Sequence, residues 1–173
     1  MAATLLSRDE LQAALDALSS RLVERDTVAT LLLFGDAAMM FAHDARESID
    51  HVDVVPTPRG LVLGAARDVA QRLDLKAHWI NDQSAGAVPK DLLDGDVVDL
   101  WERPNLTVRA LGPELLLAMS ALAPTRPEDR DDIVRLATGL GMTSSIDVEV
   151  LVAELFPGRT LNAKARAILD DLF

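Results

Sequence analysis

Two short stretches decide the fold prediction: LFGDAA at residues 33–38 and RESIDHVDVV at residues 46–55. The first stretch ends a nearly all-apolar run over residues 28–34, which is typical of a buried strand. Gly35 ends that strand, and the small apolar residues after it indicate a short buried helix. The second stretch carries valines that favour another strand over residues 49–55, which Pro56 and Pro58 should end. The expected order is therefore strand, glycine turn, helix and strand.

This order of elements suits the binding of phosphate and metal ions. Gly35 would let a triphosphate approach backbone N–H groups near a helix N-terminus. Alternate residues of a strand point to the same side, so acids two positions apart can share divalent cations. Such cations would bridge the phosphates and activate an attacking oxygen. The two stretches thus indicate a candidate nucleotide and metal site.

The rest of the chain predicts an α+β fold. Ser7 and Glu10 have capping-box spacing and start a helix over residues 7–24. Strands are expected at 77–80, 97–101 and 106–110, and helices at 61–73, 113–123, 127–140, 145–156 and 160–173. Mixed strands followed by helices predict an α/β region over residues 1–111. Residues 112–173 should form a helical region that packs with it as one unit.

Composition narrows the function classes. The chain has 173 residues, no cysteine and a formal net charge of −11. That charge argues against nonspecific nucleic-acid binding, which needs a basic surface. No apolar run approaches the ~18 residues that span a membrane, and the first residues lack the pattern of a secretory signal. We expect a cytoplasmic protein without disulfides or thiolate zinc sites.

Taken together, the motifs resemble the nucleotidyltransferase superfamily, in particular small bacterial proteins related to AbiEii-type toxins and minimal nucleotidyltransferases. Residues 79–82, 113–119 and 129–133 carry further parts of the likeness, which covers roughly residues 30–173. The resemblance implies a mixed β-sheet with flanking helices and a C-terminal helical bundle. It also implies transfer of a nucleotidyl group from a nucleoside triphosphate, with Mg²⁺ or Mn²⁺ as cofactor.

The resemblance assigns roles to individual residues. Metal ligands would be His51 and Asp53. Asp53 would also be catalytic, with Asp82 as the third acid and Asp99 as its competitor. The expected nucleotide-binding residues are Gly35, Asp36, Arg46, Ser48 and Ser120.

Three of these positions depart from the family pattern. Asp36 replaces glycine or serine, and Ser120 replaces a lysine. His51 stands where the family has its first aspartate, and Mg²⁺ prefers oxygen ligands, so a His51/Asp53 pair would favour Mn²⁺ or Zn²⁺. Asp50 is an alternative partner for Asp53, although acids three positions apart on a strand face opposite sides unless a bulge intervenes.

These departures leave alternative functions open. The chain is either a nucleotidyltransferase with an altered metal site, or a catalytically inactive protein of the same fold. An inactive protein would bind a nucleotide or a partner protein, for example in a toxin–antitoxin-type system. A homodimer joined through the helical region is a third possibility. At Asp36, we favour an N-cap of the following helix over a nucleotide contact.

Overall fold

The computed structural model describes residues 5–173 in two compact units that meet in sequence at Leu111 and Gly112. Met1 to Thr4, where no secretory signal is expected, lie outside the described residues. The elements of unit 1 are β1 (Leu6–Ser7), α1 (Arg8–Glu24), β2 (Ala29–Leu33), α2 (Gly35–Phe41), β3 (Ser48–Ile49), β4 (Val52–Thr57), α3 (Arg59–Leu73), β5 (Ile80–Asn81), β6 (Val97–Arg103) and β7 (Leu106–Leu111).

Unit 1 contains a mixed five-stranded sheet in the order β5-β4-β2-β7-β6. The central strand β2 runs antiparallel to β4 and parallel to β7. On one side β4 pairs in parallel with β5, and on the other β7 forms an antiparallel hairpin with β6. This mixed sheet, together with the helices around it, confirms the predicted α+β class.

One face of the sheet forms the core of unit 1. Along β2 and β4 burial alternates, so that Leu31, Leu33, Val52 and Val54 are fully buried while their neighbours are half-buried. Helix α3 contacts β4, and α1 packs against both α3 and β7. Because alternate side chains point to opposite faces, Asp53 lies on the half-buried face, away from this core.

Helix α1 begins as the sequence predicts. The Ser7 hydroxyl accepts a hydrogen bond from the Glu10 N–H, and the Glu10 carboxylate accepts one from the Ser7 N–H. This reciprocal pair satisfies two N–H groups that would otherwise lack partners at the helix end. The buried face of the helix carries four leucines: Leu11, Leu15, Leu18 and Leu22.

The predicted strand over residues 49–55 is wrong in two respects. It is interrupted by a bend at Asp50 and His51, which separates β3 from β4. In addition, Pro56 continues β4 instead of ending it, paired with Leu31. Strand β5 pairs with β4 only at Val52 and Asp53, so Pro56 lies where β4 has a partner on one side only. A proline is tolerated there because no ladder hydrogen bond is lost.

Smaller differences occur elsewhere. The strand expected at 77–80 is shortened to β5, because the Trp79 N–H donates to the Lys76 carbonyl in a turn. Strand β1, which pairs antiparallel with β3, carried no sequence signal of its own. The last helix begins at Ala163 and not at residue 160, because Asn162 caps it by accepting from the Ala165 N–H.

Unit 2 is helical, as predicted. Its helices are α4 (Pro113–Leu122), α5 (Glu128–Gly139), α6 (Ser145–Leu155) and α7 (Ala163–Leu172). Helix α4 packs against α5 and α6, and α6 against α7. Helix α5 ends at Gly139, close to the expected end at residue 140, and Gly141 follows with a φ angle of 68°. Asp129 accepts hydrogen bonds from the N–H groups of Thr125 and Arg126 and so has a structural use at the start of α5.

Candidate functional site

Gly35 and Asp53 meet where β2 ends. The Phe34 N–H donates to the Asp53 carbonyl at 3.0 Å, which continues the β2–β4 pairing by one residue. Gly35 follows with a φ angle of 56°, a conformation that glycine adopts without strain. A Cβ atom on Gly35 would lie 3.0 Å from Asp53 Oδ2. Glycine is therefore required both by the backbone conformation and by the nearby carboxylate.

Asp53 is held by its neighbour on the next strand. Strands β4 and β5 run parallel with Asp53 opposite Asn81, on the half-buried face. The Asn81 amide Nδ2 donates to Asp53 Oδ1 at 2.9 Å. The Asp53 side chain keeps 20% of its surface exposed, so it remains accessible to a ligand or to solvent.

The His51 ring lies between two carboxylates. Its Nε2 is 3.2 Å from Asp53 Oδ1, and its Nδ1 is 3.3 Å from Asp50 Oδ2. The bend at Asp50 and His51 makes this possible, because the strand alternation that would separate Asp50 from Asp53 does not begin until Val52. Asp50 and Asp53 therefore both contact the same imidazole ring.

These contacts favour the charged imidazolium. The hydrogen bond that His51 donates to Asp53 raises the pKa of His51 from 6.5 to about 9, although partial burial acts in the opposite direction. Coulombic attraction to Asp53 and the hydrogen bond to Asp50 raise the pKa further. At neutral pH the ring is therefore protonated, both nitrogens are donors, and neither has a lone pair for a metal ion.

Lys76 supplies a second cation. Its ammonium group contacts Asp50 Oδ1, and this contact, followed by that of His51, lowers the pKa of Asp50. Lys76 follows α3 in the turn that leads to β5. We call Asp50, His51, Asp53, Lys76 and Asn81 the Asp53 cluster.

Two further acid–base pairs flank the Asp53 cluster. Arg46 Nε lies 3.3 Å from Asp36 Oδ1, and Arg59 Nε contacts the carboxylate of Asp82. The prediction that Asp36 caps the helix is wrong, because α2 begins at Gly35 with Phe34 as its N-cap and no side-chain cap bond. Asp36 is instead directed to Arg46, ten residues later in the chain.

The acids around Gly35 are thus compensated by cations of the protein itself. The pairs are Asp36 with Arg46, Asp50 with Lys76, Asp53 with His51, and Asp82 with Arg59. Mg²⁺ and Mn²⁺ bind best to anionic oxygens that no other cation engages. Among residues 5–173, no group of three or more His, Asp or Glu side chains is arranged to hold a metal ion. The donor set does not fit the metal that the resemblance implies.

The other predicted site residues belong to other elements of the fold. Ser48 belongs to β3 and pairs with Ser7. Ser120 lies on α4 of unit 2. Asp99 is on β6, with β7 and β2 between it and the strand of Asp53, and its Oδ1 accepts from Arg109 Nε at 2.6 Å. Asp99 is therefore separated from the Asp53 cluster, whereas Asp82 directly follows Asn81 beside it.

Sequence reasoning missed the contacts of Lys76, Asn81 and Arg59. Asn81 could have been found by treating residues 80–82 as a strand parallel to residues 52–53, which would place it opposite Asp53. Lys76 and Arg59 carried no signal, because their contacts depend on how α3 returns the chain to the sheet edge.

A groove on the half-buried face of the sheet provides space for a ligand. Its volume is about 530 Å³, and its lining includes Thr30 of β2, Thr107 and Arg109 of β7, and Asp99 and Glu102 of β6. Leu100, Trp101 and Val108 also line the groove, so it offers both polar and apolar groups to a ligand. The groove lies on the same face as Asp53 but on the opposite side of β2.

Comparison of the chain with protein-family models, with curated proteins and with solved structures found no match in any of the three. In the described part of the chain, no helix combines the length and apolar character needed to cross a bilayer.

Proposed function

We propose that this chain is a noncatalytic protein of nucleotidyltransferase-like architecture that acts by binding a regulatory partner. The observation that carries this proposal is the pairing of Asp53 and Asp50 with His51 and Lys76. A metal-dependent transferase needs carboxylates whose charge is available to its cations. Here that charge is already balanced by side chains of the protein.

Two other observations support the same proposal. A triphosphate approaching Gly35 would meet Asp36, a carboxylate where the resembling proteins have a neutral residue. The groove beside β6 and β7 has a volume of about 530 Å³, and its lining does not include Asp53. Binding without group transfer is therefore the use that these residues favour.

Nucleotidyl transfer is the second candidate function. It is favoured by one specific observation, the position of Asp53 beside the Gly35 turn with Asn81 fixing its carboxylate. On this alternative, a nucleotide and metal would have to displace His51 from Asp53 before the site could work.

Metal-dependent nucleotide binding separates the two candidates without knowledge of an acceptor. Calorimetric titration with nonhydrolysable analogues of the four nucleoside triphosphates would be run with and without Mn²⁺. We expect no heat that depends on Mn²⁺, and no labelled product when hydrolysable triphosphates are supplied. The matched control is Asp53→Asn, which should equal the unchanged protein. Mn²⁺-dependent binding or transfer that Asp53→Asn abolishes would contradict the proposal.

A further inference from the structure

The His51 ring occupies the position of a bridging cation. It contacts Asp53 Oδ1 through Nε2 and Asp50 Oδ2 through Nδ1, one carboxylate at each ring nitrogen. Divalent cations hold pairs of carboxylates in proteins in the same bridging manner, by attracting an oxygen from each. The side chain of His51 is two-thirds buried, so solvent only partly screens these contacts.

The other groups of the Asp53 cluster do not replace this role. Lys76 contacts Asp50 through Oδ1, and within residues 5–173 it makes no ion pair with Asp53. Asn81 donates to Asp53 but carries no charge. Without His51, the carboxylates of Asp50 and Asp53 would be left with one ammonium group between them, and their repulsion would rise.

The rest of the site retains what a cation-binding carboxylate needs. Asp53 is fixed by the Asn81 amide and by the backbone bond from Phe34. Gly35 leaves open the space beside Asp53 Oδ2 that any larger residue would fill. Position 51 is in a bend, where aspartate is well tolerated, so a change there should not disturb β4.

From this arrangement we infer that His51 takes the place of a divalent cation, and that one substitution, His51→Asp, converts the Asp53 cluster into a divalent-cation site. The inference rests on the proposed function, because it explains why the wild-type site does not hold a metal. It goes further by stating that a single side chain is responsible. The substitution removes the ring that contacts both carboxylates and adds a carboxylate beside Asp53.

Electron paramagnetic resonance of Mn²⁺ tests this directly, since the signal of the free ion falls when the ion binds. Titrations would compare the wild-type protein, His51→Asp, His51→Asn and the double variant His51→Asp/Asp53→Asn. We expect no saturable binding to the wild type up to about 1 mM Mn²⁺, the weak limit of protein cation sites. His51→Asp should bind at least about tenfold more tightly, as expected for added anionic ligands. The double variant should return toward the wild type.

The variant His51→Asn keeps the inference testable if His51→Asp does not fold. It removes the bridging cation without adding a ligand, so it should bind Mn²⁺ more tightly than the wild type and less tightly than His51→Asp. Circular dichroism of each variant would confirm that it is folded. Should His51→Asp be unfolded, an affinity of His51→Asn equal to that of the wild type would overturn the inference.

The remaining outcomes are also decisive. Wild-type binding as tight as that of His51→Asp would overturn the inference, as would equal affinities of His51→Asp and the double variant. Nucleotidyl transfer by the wild-type protein would contradict the proposed function, and this is measured separately. A failure of the Mn²⁺ titration therefore remains distinct from a failure of the noncatalytic assignment.

Discussion

At the scale of single residues, Gly35 connects backbone conformation to the Asp53 cluster. Its φ angle of 56° and the 3.0 Å separation between a built Cβ and Asp53 Oδ2 act together. Gly35→Ala should therefore destabilise unit 1 by about 1–3 kcal/mol, from left-handed strain and a displaced carboxylate. Both tryptophans, Trp79 and Trp101, belong to unit 1, so fluorescence-monitored urea unfolding measures this loss.

Gly60→Ala is the matched control for that change. Gly60 is exposed in the first turn of α3, and a Cβ atom there meets nothing within 4 Å. Alanine should be neutral or stabilising by up to about 1 kcal/mol, because it restricts the unfolded chain and favours helix. Equal losses at both glycines would show that the contact with Asp53 is not what makes Gly35 necessary.

His51 predicts a dependence of stability on pH. Its pKa is raised in the folded protein to about 9 from 6.5, so the folded state binds the proton more tightly than the unfolded state. The resulting stabilisation is complete below pH 6.5 and is lost as the pH rises to about 9. We expect a loss of about 1 kcal/mol over this range, because a partly exposed pair is screened by solvent.

Urea unfolding of the wild type and His51→Gln at several pH values checks this dependence. Glutamine keeps a hydrogen-bonding side chain but does not titrate, so the difference between the two proteins should shrink from pH 6 toward pH 9.5. A difference that stays constant over this range would show that folding does not raise the pKa of His51.

The candidate site could be predicted only in part at this scale. Gly35 and Asp53 were found because glycine after an apolar run and an acid on the next strand form a local pattern. The bridging role of His51 could not be predicted, because it depends on a bend at a place where the valine pattern predicts a continuous strand. The contact of Asn81 depends on a strand pairing across 28 residues, and that of Lys76 depends on how the chain returns to the sheet after α3. Neither is contained in a local pattern.

At the scale of elements, the α1 capping box yields a test of its own. Ser7→Ala removes the hydroxyl that accepts from the Glu10 N–H and should cost about 1 kcal/mol of unit 1 stability. The control is Ser20→Ala, within the same helix, where the hydroxyl donates to the Asp16 carbonyl at an exposed position. That change should have little effect or be slightly stabilising. Similar losses for both serines in urea unfolding would argue against the capping contribution.

Helices were predicted better than strands for a physical reason. The periodicity of α1 and the start of α4 at Pro113 are local signals, because each is contained in residues close together in the sequence. Strand ends depend on the partner: Pro56 stays in β4 because β5 has already ended, and Ile80 begins β5 because Val52 is beside it. The sequence of β4 and β5 alone does not contain that information.

At the scale of the whole molecule, the charge makes a prediction about nucleic acid. With 28 acidic and 17 basic residues, the chain should repel phosphate backbones. Fluorescence anisotropy with a labelled DNA duplex at 0.15 M salt should show no saturable binding up to about 10 μM protein. Salt-sensitive binding at or below about 1 μM would instead reveal a basic surface that the net charge conceals.

The order of strands in the sheet also governs when unit 1 can fold. Its central strand, β2, pairs in parallel with β7, so that Leu31 lies beside Val108 at the other end of the unit's sequence. Pairings between distant segments form slowly, because a long loop must close before any contact offsets its entropy. During synthesis, β2 cannot pair with β7 until β7 has emerged from the ribosome. Until then, one edge of β2 stays exposed. The nascent chain therefore depends on the last residues of unit 1 to protect an apolar strand made near its beginning.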